Sequence, residues 1–109
     1  MFEIREGIKC INGMEVDTFE RDVTEGNSLL NVEVGTTGYC GGGRESGGRT
    51  FLRLTNICGD FYARVYKNED RKPCAVDIIF CGDDGLTGMI RALDFAREAL
   101  NDQIRGINE

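Results

Sequence analysis

Apolar and polar residues alternate with period two in short runs along the first eighty positions, and the period then becomes helical. Ile8 and Cys10 alternate with polar neighbours, Asn12-Gly13 follows, and Met14, Val16 and Thr18 alternate again. Asn-Gly between two alternating runs predicts a tight hairpin. Phe2 and Ile4 extend this sheet or form an earlier edge strand, and Glu25-Gly26-Asn27 marks a second turn. Leu30, Val32 and Val34, separated by Asn31 and Glu33, predict a strand with one wet face. Thr50 to Thr55 predicts another, with Leu52 and Leu54 inward and Arg53 outward. In the run from Phe61 to Tyr66, Phe61, Ala63 and Val65 lie opposite Tyr62, Arg64 and Tyr66. Cys74, Val76, Ile78 and Phe80 line one face of a last strand, and Ile79 behind them predicts partial cover on both sides.

After Cys81-Gly82-Asp83-Asp84-Gly85, the residues Leu86, Met89, Ile90, Leu93, Ala96, Leu100 and Ile104 fall on one helical stripe. Asp84 or Thr87 is placed to cap its start and Gly106 to close it. Asp94, Arg97, Glu98, Asn101, Asp102 and Arg105 form its wet face. The expected fold is α+β, an antiparallel sheet of about five to six strands packed by one C-terminal α-helix. Residues 1–109 make a single domain, with no internal repeat and no linker. A chain of this size buries a thin core, which favours a homo-oligomer.

Charge narrows the partners. The net charge is −6, from 19 acidic and 13 basic residues. General DNA or RNA binding needs a basic surface, so no nucleic-acid partner is expected. No stretch is long and apolar enough to span a membrane. Met1 opens a charged, alternating segment without the apolar centre of a signal peptide, so a cytoplasmic chain with reduced thiols is expected. The five cysteines lack Cys-x-x-Cys spacing and there is no His, which disfavours zinc and a Cys nucleophile with a base beside it. No cofactor and no catalytic activity are expected.

The unusual chemistry lies between Gly35 and Thr50, where seven of the fifteen glycines fall. Glycines let backbone N–H groups converge on an anion. Arg44 and Arg49 supply phosphate forks, Thr36, Thr37 and Ser46 supply hydroxyls, and Tyr39 offers a stacking face. Arg91, near the helix start, joins them if the helix start and the loop meet. The plain alternative is an ordinary hairpin loop, since glycine serves those equally well. The Walker pattern fails, because Arg stands where Lys is needed and a strand follows instead of a helix. Asp83 and Asp84 read as helix-start residues before they read as metal ligands. Tyr62, Arg64 and Tyr66 read as a half-exposed sheet face, and the cysteines as small packed hydrophobes.

The runs Asn31-Val32-Glu33-Val34-Gly35-Thr36-Thr37-Gly38-Tyr39, Gly47-Gly48-Arg49-Thr50-Phe51 and Ile78-Ile79-Phe80-Cys81-Gly82-Asp83-Asp84, with the closing helix, resemble small phage and prophage proteins of Gram-positive bacteria. The likeness spans roughly residues 28 to 104. It is similar in kind to phage sponges that neutralise Thoeris-type immunity by sequestering a cyclic ADP-ribose signal. The resemblance implies a non-catalytic anti-defence oligomer in the host cytoplasm that encloses a cyclic nucleotide or cyclic ADP-ribose-type signal. The alternative is an acidic inhibitor that binds a host defence protein directly.

Overall fold

The computed structural model describes residues 4–26, 28–38, 48–58 and 61–108. Among them, six antiparallel strands form two sheets, and one C-terminal helix packs on the larger. Strands β1 (Arg5–Ile11), β2 (Met14–Glu25), β3 (Ser28–Thr36) and β4 (Thr50–Cys58) lie in that order in one sheet. Strands β5 (Phe61–Lys67) and β6 (Pro73–Phe80) form a separate hairpin, and α1 runs Gly82–Asn108.

The Asn12-Gly13 turn has φ of 49° and 82°. Positive φ at both central residues matches the twist of a two-residue hairpin. Strand β2 is long because it serves two neighbours. Its residues 14–20 pair with β1 and its residues 18–25 pair with β3. The outer half of the β1–β2 hairpin therefore extends past the end of β3.

The core forms where α1 lies over β3 and β2. Val23, Leu30, Val32 and Val34 pack against Ala92, Phe95 and Ala96. The buried face of the helix is built mainly from small residues, Gly85, Gly88, Ala92 and Ala96, with Phe95 as the large insert. This corrects the stripe expected from the sequence. Met89, Ala96, Leu100 and Ile104 do turn at least partly inward, but Leu86, Ile90 and Leu93 are 54%, 50% and 50% exposed. Small side chains let the helix axis settle close to β3, whereas large ones there would hold it away. A Cβ added to Gly85 would meet Phe80 Cβ at 3.3 Å. The expected wet face is exposed as read.

The ends of the helix also differ from expectation. The helix starts at Gly82, so Asp83 and Asp84 occupy its first turn, where carboxylates favour the dipole. Asp84 also packs on the β2–β3 turn, because a Cβ on Gly26 would overlap its carboxylate. Gly106 lies within the helix and does not end it.

The other face of the large sheet carries the buried Met14, Val16 and Thr18 of β2 beside charged groups. Thr18 Oγ1 donates to Glu33 Oε2 at 2.8 Å, and Lys9 Nζ stands 3.6 Å from Glu33 Oε1. Phe51 lies under both Lys9 and Arg53, at 5.7 and 5.2 Å from its ring centroid. Arg5 donates to Glu20 at 3.0 Å and Asp22 at 3.3 Å, and the Glu20 bond above all raises its pKa.

The β5–β6 hairpin is covered only at its base. Phe61 and Phe80 stack at 4.8 Å and join the core. Ile79 and Phe80, on opposite faces, are half-buried while Cys74, Val76 and Ile78 are exposed, so the partial cover expected on both sides lies at the base of the hairpin. Tyr62 lies against Arg64 and Tyr66 donates to Asp77 at 2.8 Å, as in an ordinary half-wet sheet face. The radius of gyration is 15.5 Å, against roughly 13 Å for a compact chain of this length. No described helix is long and apolar enough to cross a membrane.

Candidate functional site

The two ends of the Gly-rich segment are clasped together. Thr37 N–H donates to the Arg49 carbonyl at 3.0 Å, and Arg49 N–H donates to Thr37 Oγ1 at 3.0 Å. One residue inward, the Thr36 and Thr50 hydroxyls bond across the strands at 2.9 Å. Thr36 Oγ1 also accepts from Gly38 N–H at 3.0 Å, which turns the chain out of β3. Gly38 has φ of 90°, a left-handed conformation that glycine adopts without strain. Gly35 is needed for a different reason. A Cβ there would collide with the Asp17 carbonyl and press on Thr18 and Val16, where β2 crosses.

Helix α1 locks this clasp from behind. Gln103 Oε1 accepts from Thr36 N–H at 3.0 Å, and Gln103 Nε2 donates to the Asp17 carbonyl at 2.7 Å. One side chain thus ties the last turns of the helix to Asp17 within β2 and to the end of β3. Beside it is a cleft of about 230 Å³, lined by Thr36, Gly38, Thr50, Leu100 and Ile104. That is below the roughly 300–1,000 Å³ of a typical small-molecule pocket.

Arg49 is the distinctive group. Its Nη1 donates to the Gly48 carbonyl at 3.2 Å and its Nη2 to the Asn12 carbonyl at 3.3 Å. No ion pair joins it to a described carboxylate, although the chain carries 19 acidic residues. Its Nε is buried and has no hydrogen-bond partner among the described residues. A buried N–H without an acceptor costs roughly 1–3 kcal/mol. Arg49 is thus held by backbone carbonyls and meets no carboxylate among the described residues.

The residues named from the sequence separate into three groups. Thr36, Thr37 and Arg49 come together at the clasp. The Thr36 hydroxyl is absorbed by Thr50 and Gly38, whereas Thr37 Oγ1 accepts from Arg49 and keeps its own proton to donate. Tyr39, Arg44 and Ser46 lie outside the described residues. Arg91 does not belong to the site. It donates to the Thr24 carbonyl at 2.8 Å, at the far end of β2. Twelve residues of helix, a rise of roughly 18 Å, separate it from Gln103. The helix runs toward the loop with its C-terminal end, so its start never meets the clasp. Gln103, Asn12 and Thr50 were not picked out from the sequence. Gln103 alone left a trace there, as a polar residue among Leu100 and Ile104.

A second groove, of about 310 Å³, lies on the other flank of the helix among Ile4, Phe19, Arg21, Phe95, Glu98 and Asp102. Two carboxylates in its lining make it a poor anion site. Among the described residues no three of His, Cys, Asp and Glu come together as a metal site. Cys10, Cys74 and Cys81 are free thiols and exposed, unlike the packed cysteines expected. No family model, curated protein or solved structure matches this chain.

Proposed function

We propose that this chain is a non-catalytic binding protein that holds a phosphorylated nucleotide at the Thr37–Arg49 clasp. The observation that carries this reading is Arg49, charged, without a described carboxylate partner, and with a buried Nε lacking an acceptor. Phosphate oxygens would accept from the Arg49 guanidinium and from the Thr37 hydroxyl, two residues that the clasp joins.

Taken with the resemblance to phage proteins, the ligand is a cyclic nucleotide or cyclic ADP-ribose-type immune signal. Its sequestration would be the anti-defence function. Purified protein, heated to release bound small molecules and analysed by absorbance and mass spectrometry, tests this. The expected result is an intact nucleotide after incubation with cyclic ADP-ribose isomers or cyclic di- and trinucleotides. Recovery of a hydrolysed product would make the protein an enzyme, and recovery of none would leave no ligand for Arg49.

A further inference from the structure

The side of the large sheet that faces away from the helix pairs its charges unevenly. Strand residues alternate in facing, and the register places Arg5 and Lys9 of β1, Glu20 and Asp22 of β2, Glu33 of β3 and Arg53 of β4 on that side. Arg49 joins them, because Thr37 and Arg49 continue the Thr36–Thr50 register by one step. Each of these three carboxylates is taken. Glu20 and Asp22 bind Arg5, and Glu33 binds Thr18 and Lys9. Among the described residues, Arg49 and Arg53 are left without one.

Arg53 is exposed, and its guanidinium lies 5.2 Å from the Phe51 ring centroid. Phe51 stands between the two arginines on the same side of the strand, so this contact leans Arg53 back toward Arg49. Their backbone positions are four residues apart, or about 13 Å. Phe51 opposes Gly35, which adds no side chain to that side of the sheet. Lys9 lies 5.7 Å from the same ring and is held by Glu33. The ring therefore steadies two cations beside the clasp, and Arg53 is the one with no carboxylate. In a chain of net charge −6, this is a local excess of positive charge.

We propose that the ligand of the Thr37–Arg49 clasp carries two phosphate groups, and that Arg53 takes the second. This inference rests on the reading of the clasp as a phosphate site. A guanidinium offers a phosphate two parallel N–H bonds, which are stronger than an exposed cation–π contact. Arg53 therefore gains by turning from the ring to an anion. Glu33, directly opposite Arg53, does not compete for it, because its two oxygens are held by Lys9 and Thr18. A ligand with one phosphate would satisfy Arg49 and leave Arg53 on the ring.

Calorimetric titration of the full chain at fixed salt tests this with three probes. Cyclic ADP-ribose and cyclic di-AMP carry two phosphates, and cyclic AMP carries one. At least one of the two-phosphate probes should bind roughly tenfold or more tightly than cyclic AMP. Arg53→Gln keeps most of the stem beside Phe51 and removes the fork. It should weaken that probe by roughly tenfold and erase the preference, with an unchanged circular dichroism spectrum. Cyclic AMP bound as tightly as both other probes, or an Arg53→Gln variant that keeps the wild-type preference, would overturn the second site and leave the clasp reading standing. Binding of none of the three would remove both.

Discussion

Strand β3 and the β5–β6 hairpin are written in the same alternating pattern, yet one is the most buried part of the molecule and the other among the most exposed. Leu30, Val32 and Val34 are at most 1% exposed, while Val65 and Val76 on the hairpin are more than half exposed. The difference is the neighbour. β3 is paired on both edges and roofed by α1, whereas the outer hairpin has neither. Alternation states which face wants cover, and topology decides whether the same chain can supply it.

The sharpest way to break this comparison is to place one substitution in each region. Val32→Asp should abolish folding, since an uncompensated buried charge costs several kcal/mol against a total stability of roughly 5–15 kcal/mol. Val76→Asp should leave the large sheet and helix folded, read by circular dichroism and a cooperative melt. Next in size is the helix face. Phe95→Ala should cost about 3–5 kcal/mol by denaturant titration. Leu93→Asp should still give a folded chain, although the sequence stripe placed Leu93 in the core. Smaller again is Gln103→Ala, which strands Thr36 N–H and the Asp17 carbonyl and should cost about 1–3 kcal/mol. Arg91→Ala removes an exposed bond to β2. It should leave nucleotide binding unchanged in a calorimetric titration.

Much of the fold was legible for local reasons. Asn12-Gly13 demands two positive φ values, and strand alternation sets faces with no knowledge of the rest of the chain. The helix was legible in extent but not in rotation. Its buried face uses Gly85, Gly88 and Ala92, which carry little hydrophobic signal, and leaves Leu86, Ile90 and Leu93 on the flank. Close packing on β3 selected for size over hydrophobicity there. Thr37 and Arg49 were legible as loop chemistry because both flank the glycines. Arg91 was misplaced because nothing local to residue 91 reports which end of the helix reaches the loop. Gln103 and Asn12 join the site from 67 and 37 residues away, a closeness only tertiary structure creates.

The central claim is that Arg49 receives a phosphate. Calorimetric titration of wild type, Arg49→Ala and Arg49→Lys with cyclic ADP-ribose isomers and cyclic di- and trinucleotides, at fixed salt, tests it most directly. Losing one charge-assisted contact is worth about 1.5–3 kcal/mol, or roughly ten- to a hundredfold in affinity. The account predicts that loss for Arg49→Ala and a smaller one for Arg49→Lys, which keeps the charge but not the fork. Both variants should melt at the wild-type temperature or slightly above it, since wild-type Nε is buried without an acceptor. A wild-type protein that binds none of these nucleotides, or an Arg49→Ala variant with full affinity, would contradict it.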